Sequence, residues 1–201
     1  MKKDNTGSVI EFYKVLNIFQ HVVRVPHVPG ENRRENDVEH SYFLAMMAWY
    51  MIDILKLNLD MSRVLRYALI HDLVEVYAGD TYVFSKNKEL LETKHKREGE
   101  AQKRLKSEFP EIESMHECIE QYERRSDSES VFIHALDKLM PVLNQYIQDG
   151  RTWKSEKISF SDIVTLKRRT VAASPEIKNL LEQLIQLIEK DRKRFFGELI
   201  D

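Results

Sequence analysis

The stretch from Tyr67 to Asp80 limits what this chain can fold into more than any other. It reads Tyr-Ala-Leu-Ile-His-Asp-Leu-Val-Glu-Val-Tyr-Ala-Gly-Asp, so apolar residues dominate while His71, Asp72 and Glu75 sit in its middle. Ionisable groups carried into a core are costly unless they are paired or bind a metal. The spacing predicts a helix closed by Gly79, in the position just past a helix end that glycine favours, with Asp80 immediately beyond. On such a helix His71 and Glu75 share a face, one turn apart.

The rest of the sequence supplies helical neighbours. Five prolines and six glycines leave few breaks in 201 residues, and Leu, Ile, Glu, Lys and Arg are abundant, so the expected fold class is all-α. The length suits one domain with a substantial core. We expect a disordered lead over residues 1–8, then a single domain over 9–201, its chemistry at about 19–146 and helices over 161–198 packed on it. A formal charge of −2 provides no field for nucleic acid or an anionic membrane. No apolar run reaches the roughly 18 residues of a membrane span, and the start lacks the apolar centre of a secretory signal. A single cysteine, Cys118, cannot form an internal disulfide, which fits a cytoplasmic location.

Along the chain, a first helix is expected over Val9–Val23, with Ile10, Tyr13, Val15, Leu16, Phe19 and Val23 as its apolar stripe. Arg24-Val25-Pro26 ends it, and Pro26–Gly30 is loop. Asp37 is the expected N-cap of a second helix over Val38–Leu55, which is apolar nearly all round and therefore central. Asp60 caps the helix that carries His71. Thr81–Ser85 is a loop that sets Tyr82 and Phe84 beside that helix end. A long charged helix covers Lys88–Phe109 and a shorter one Ile112–Glu123. Glu129–Gln148 is helical, with Pro141 withholding a donor from the Asp137 carbonyl and kinking the helix. Trp153–Phe160 reads as loop and Ser161–Val171 as a short helix, and Pro175 opens a last helix at its first position.

Four residues in these apolar helices stand out: His40, His71, Asp72 and Asp137. A short turn makes the second and third helices antiparallel neighbours. His40 lies roughly 22 Å from that turn and His71 roughly 15 Å, at about 1.5 Å per residue, a difference that side-chain length and crossing angle absorb. Two imidazoles and two carboxylates make a mixed nitrogen–oxygen site for a first-row divalent cation, with positions left for water and substrate. The residues alone leave another reading open, since core histidines are often simply hydrogen-bonded, and His71 and Asp72 project about 100° apart on a helix. His134, three residues before Asp137 on the same face, reads as a packing histidine, with orienting Asp137 as the other reading. His21, His27, His95 and His116 read as surface or loop-packing histidines, and Cys118 as a small core residue. Lys167-Arg168-Arg169 and Arg192-Lys193-Arg194 read as solvated helix faces. Phe195-Phe196 after an apolar stripe suggests packing, a dimer interface being one place for it, and a homodimer is expected.

The ordered set His40, His71-Asp72, Asp137 resembles the H…HD…D signature of the HD-domain superfamily of metal-dependent phosphohydrolases. Val38–Ser41, His71–Thr81 and Ala135–Leu139 resemble the motifs of its 5′-deoxynucleotidase-like branch, and the likeness runs roughly from Phe19 to Tyr146. Val25 stands where that branch often has tryptophan, and Gln121-Tyr122 where it often has Glu-Tyr. The resemblance implies an HD-domain helical bundle holding one divalent metal ion (Mn, Co, Mg, Fe, Ni or Zn) on His40, His71, Asp72 and Asp137. It implies Glu75 and Asp80 as catalytic residues, Glu75 shuttling a proton and Asp80 sharing that role or orienting the sugar. Arg24 resembles the arginine that meets phosphate, and Lys138 is a second phosphate candidate. The implied reaction is hydrolysis of a small nucleotide, a (deoxy)nucleoside 5′-monophosphate, to nucleoside and phosphate. A phosphodiesterase or alarmone hydrolase on the same scaffold is the alternative reaction. A non-catalytic nucleotide sensor is the alternative class, against which Glu75 and Asp80 argue, since a binder needs no proton shuttle.

Overall fold

The computed structural model describes residues 5–197. In order come α1 (Thr6–Phe19), a hairpin of β1 (Val23–His27) and β2 (Arg34–Asn36), α2 (Asp37–Leu55), α3 (Met61–Ile70), α4 (Glu75–Ala78), α5 (Lys88–Glu92), α6 (Lys94–Glu108), α7 (Glu113–Arg124), α8 (Ser128–Ile147), α9 (Arg151–Glu156), α10 (Phe160–Thr170), α11 (Pro175–Glu189) and α12 (Arg192–Phe196). The fold is all-α as expected, and among the described residues the antiparallel hairpin is its only sheet. No helix of the described residues is long and apolar enough to cross a membrane.

Capping residues fix the elements that carry the site. Asn36, not Asp37, caps α2: its side chain accepts from the Glu39 N–H at 3.0 Å, while the Glu39 carboxylate accepts from the Asn36 N–H at 3.1 Å. Asp37 is thereby freed to turn inward, where it is fully buried. Asp60 caps α3 and Asp127 caps α8, each accepting from the backbone N–H three residues on. The main core gathers Leu44, Val64, Tyr67, Leu136, Leu139 and Ile177 from α2, α3, α8 and α11. A smaller one joins α1, α4 and α6 through Val15, Phe19, Val76 and Leu105.

Several boundaries and faces differ from expectation. α1 begins at Thr6, inside the expected lead, whose residues 1–4 lie outside the described ones, as do residues 198–201 at the other end. Of its expected stripe only Val15 and Phe19 are buried; Ile10, Tyr13 and Leu16 are exposed, and Val23 is exposed on β1. α2 is not central: Leu44, Ala48, Met51 and Ile52 face the core while Tyr42, Phe43, Met46, Trp49 and Tyr50 face outward. The long charged helix divides at Thr93, whose hydroxyl donates to the Glu89 carbonyl at 2.7 Å and offers the backbone an alternative to the ladder. The expected loop at Trp153–Phe160 contains α9, with the Trp153 ring stacked on Phe196 at 5.1 Å and Phe195 stacked on Tyr146 at 5.5 Å. Phe195 and Phe196 therefore pack as expected, and do so within the chain. α12 reaches that position over Gly150, at φ 69°, where a Cβ would lie 1.9 Å from the Phe195 carbonyl oxygen.

Candidate metal centre

The helix expected from Tyr67 to Gly79 is interrupted where the chemistry sits. α3 ends at Ile70, α4 begins at Glu75, and His71–Val74 form a tight turn. Its backbone bonds reach three residues back, from the Leu73 N–H to the Ile70 carbonyl at 3.0 Å and from the Glu75 N–H to the Asp72 carbonyl at 2.8 Å. In such 3₁₀-type winding positions i and i+3 eclipse, so Glu75 comes up beside Asp72 rather than one α-helical turn along from His71. The same turn removes the divergence of His71 and Asp72, and His71 Nε2 lies 3.0 Å from Asp72 Oδ2.

His40 from α2, His71 and Asp72 from the turn, and Asp137 from α8 converge, one ligand-type atom from each lying within 4.8 Å of the others. The two imidazole centroids are 5.3 Å apart. His40 Nε2 is 2.9 Å and His71 Nε2 3.9 Å from Asp137 Oδ1. Each ring is oriented through its other nitrogen: His71 Nδ1 donates to the Ala68 carbonyl at 2.9 Å, and His40 Nδ1 meets Glu35 Oε1 at 3.2 Å. Both rings thus present Nε2 to the centre. Buried His71 Nε2 has no hydrogen-bond partner despite the nearby carboxylates. A convergent pair of imidazoles and a pair of carboxylates, with a ring nitrogen orphaned between them, fits one divalent metal ion.

Electrostatics divides the surrounding acids into two groups. Burial opposes ionisation of Asp72 and Asp137, but His71 and Arg24 around the first, and Lys138 and His40 around the second, hold both well below the ordinary carboxylate range. Arg24 Nη1 donates to Asp72 Oδ2 at 2.7 Å and to Asp37 Oδ1 at 3.1 Å, and Lys138 Nζ to Asp137 Oδ2 at 2.6 Å. Burial and Arg24 work against a proton on His40, yet Asp137 and Glu35 raise its pKa. Glu75 is different: burial and the carboxylates of Asp72, Asp80 and Asp37 push it up to about 11, and its Oε2 has no partner. Burial and Asp72 likewise push Asp37 up to about 7, and burial raises Asp80. Asp37, Asp72 and Glu75 form a second close group of oxygens, but the Arg24 guanidinium already joins two of them and brings the positive charge from the chain itself.

A cavity of about 220 Å³ opens on this cluster, its polar lining including Arg24, Asp72, Glu75, Asp80, Asp137 and Lys138. Tyr82, Phe84, Trp153 and Leu166 contribute apolar surface to it. Arg97 clamps the loop that carries Asp80, donating to the Ala78 carbonyl and, at 2.6 Å, to the Thr81 hydroxyl. A larger cleft of about 470 Å³, between Leu57–Leu59 and the starts of α8 and α11, shares no lining residue with this cavity and borders none of the four convergent residues.

All eight expected site residues therefore come together, though not always from the expected element. Arg24 arrives on β1, not at the end of α1. His134 does not orient Asp137: its Nε2 meets Arg125 Nη1 at 3.3 Å, and burial, Lys138 and Arg125 hold it down to about 4. His116 is buried and bonded to the Phe109 carbonyl at 2.8 Å, a packing role. Glu35 lies in a charged stretch of the sequence in which nothing distinguishes it. Asn36 and Asp37 are both capping residue types, and the structure uses the first. Lys167 is buried, not solvated, while Arg168 and Arg169 are exposed as expected; its place four residues from both Ile163 and Val171 was a signal of burial.

Comparison with known proteins completes the assignment. A family model described as HD domain matches residues 17–178. Human 5′-deoxynucleotidase HDDC2 is 32% identical over 139 residues, covering 68% of this chain and 66% of its own length. The mouse protein of that name is 32% identical over 145 residues, covering 69% and 70%. The match thus spans about two thirds of these relatives. A predicted metal-dependent phosphohydrolase from Magnetospirillum magnetotacticum has a TM-score of 0.80 at 26% identity, over 96% of both chains. A Pyrococcus horikoshii protein, 20% identical with a TM-score of 0.59 over 87% of this chain and 99% of its own, shares the fold. The chain belongs to the HD domain family, in its 5′-deoxynucleotidase-like branch.

Proposed function

We propose that this protein is a metal-dependent phosphomonoesterase that converts (deoxy)nucleoside 5′-monophosphates to nucleoside and phosphate. The observation that carries the reading is the convergence of His40, His71, Asp72 and Asp137, two of which, Asp72 and Asp137, line a cavity together with Arg24, Lys138, Glu75 and Asp80. The names of the HDDC2 relatives support the nucleotide class. A bound divalent ion would polarise the phosphoryl group and acidify water. Arg24, tied to Asp72 and Asp37, orients phosphate with a rigid fork, and Lys138 adds charge beside Asp137. Glu75 is a proton carrier: the charge of a bound divalent ion would offset the neighbouring carboxylates that raise its proton affinity, so that the carboxylate takes a proton from water and returns it to the leaving 5′-oxygen. Asp80 orients the sugar, and Tyr82, Phe84 and Trp153 give the base an apolar wall.

Residues 9–201 act as one domain in this reading. The outward residues Tyr42, Phe43, Met46, Trp49 and Tyr50 of α2 suit a second copy of the chain, making the protein a homodimer, and a lone buried cysteine fits the cytoplasm. Release of phosphate from a panel of nucleotides, each with Mn, Co, Mg, Fe, Ni or Zn and with chelator, tests the reaction. Turnover confined to diesters or to alarmones, or metal-independent turnover, overturns it. Sedimentation tests the dimer.

A further inference from the structure

Four cations line the cavity, and three of them have a carboxylate. Arg24 has Asp72 and Asp37, Lys138 has Asp137, and Lys94 has Glu98 at 3.3 Å. The fourth, Lys167 of α10, is 5% exposed and has no carboxylate in ion-pair range among the described residues. Its Nζ donates to the Lys138 carbonyl at 2.7 Å. That carbonyl adjoins the Asp137 carbonyl, from which Pro141 withholds the helical donor. An ammonium carries three N–H donors, and one backbone carbonyl occupies one.

Taking an unpaired ammonium out of water is expensive. Burial, with Lys138 and Arg24 close by, lowers its pKa to about 7, against the pull of Asp137. Its electrostatic neighbours are thus the groups around the metal cluster, not the aromatic loop. An anion entering the cavity would offset that penalty, and the tie to the Lys138 carbonyl holds the amine in place beforehand, so little rotamer freedom is lost on binding.

We propose that Lys167 is a substrate-binding residue whose ammonium donates to a phosphate oxygen of the nucleotide, from the side of the cavity formed by α10. The assignment rests on the phosphate-ester reading above and adds a cation that belongs to neither the metal cluster nor its carboxylate pairs.

The test uses the full, metal-loaded chain and inorganic phosphate as probe, titrated calorimetrically into the wild type, Lys167→Met and Lys167→Gln. Methionine keeps an unbranched apolar stem, one atom shorter, without charge. Glutamine keeps an N–H for the Lys138 carbonyl, so a lysine that merely ties α10 to α8 would leave phosphate affinity intact in that variant. Loss of a hydrogen bond to a charged group predicts phosphate binding about 10- to 100-fold weaker. KM for a nucleoside monophosphate should rise by a similar factor, with metal content unchanged. Affinity within twofold of wild type in either folded, metal-loaded variant overturns the proposal, as does a wild type that binds no phosphate at millimolar concentration. Phosphate affinity that depends on Lys167 in a protein that releases phosphate from no nucleoside monophosphate would sink the proposed reaction while leaving Lys167 an anion-binding residue.

Discussion

Replacing Glu75 with glutamine separates chemistry from scaffold. The side chain is 3% exposed, and its carboxyl is pushed up to about 11 by burial and by Asp72, Asp80 and Asp37. In the metal-free protein at pH 7 the folded state holds a proton on Glu75 while the unfolded chain, near the ordinary value of 4.5, has released it. Folding must take that proton up, which at about 1.4 kcal/mol per pH unit costs roughly 3 kcal/mol at pH 7 and almost nothing near pH 4.5. The contribution of a raised carboxyl is complete below its unfolded pKa and shrinks as pH rises. Glutamine has no proton to gain, so Glu75→Gln should melt roughly 6–10 °C higher than wild type at pH 7 in chelator. The gap should close toward pH 4.5. Phosphate release by the metal-loaded variant should fall at least about 100-fold, the loss typical of a general acid–base group, with metal content unchanged. Melting curves at several pH values, metal analysis and a rate assay on one preparation decide the matter. A lower melting temperature with near-normal turnover per folded molecule would falsify the argument and make Glu75 a structural partner of Arg24, leaving Asp80 as the next candidate for the proton.

Three further outcomes follow from the geometry. Asp72→Ala removes a proposed ligand and a partner of Arg24, and purified protein should lose both bound metal and phosphate release; wild-type metal occupancy would remove Asp72 from the proposed ligand set. Lys167 titrates at about 7 when folded and near 10.5 when unfolded, so the unfolded chain binds the extra proton between those values and wild-type stability should rise with pH across them, by up to a few kcal/mol. The melting temperature of Lys167→Met should lack that rise, and identical pH dependence in both proteins would show that the lysine is not desolvated. Gly150→Ala forces a side chain into a left-handed backbone and within 1.9 Å of the Phe195 carbonyl oxygen, costing more than about 2 kcal/mol; a melting temperature within 1 °C of wild type would contradict that contact.

His40, His71, Asp72 and Asp137 were legible because each is an ionisable residue inside an apolar run, and that mismatch survives without coordinates. The break at His71 was not legible. Apolar residues flank His71, Asp72 and Glu75 from Tyr67 through Ala78 with no glycine or proline between, and only the change from four-residue to three-residue backbone bonding marks the turn. The hairpin was hidden by Pro26, which reads as loop, and with it the position of Arg24. Apolar residues all round α2 were read as burial on every side, whereas the core takes up one face only. Periodicity reports which positions could be covered, not what covers them, so the outward rings of α1 and α2 could not be assigned from pattern. Lys167 shows the converse, a charged residue whose place in an apolar stripe outweighed its composition.

The spread of the four convergent residues along the chain also fixes when they can first meet. His40, His71 and Asp72 leave the ribosome first, and Asp137 follows 65 positions after Asp72 (137 minus 72). At about 5–20 residues per second, synthesis leaves the first three waiting roughly 3–13 s for the fourth. During that interval the chain already contains Arg24, Asp37 and Asp72, but Lys138 and the oxygen that meets both imidazoles have not yet been made. A nascent chain halted before α8 holds three of these donors without Asp137, so the complete set of four first exists once α8 has been made.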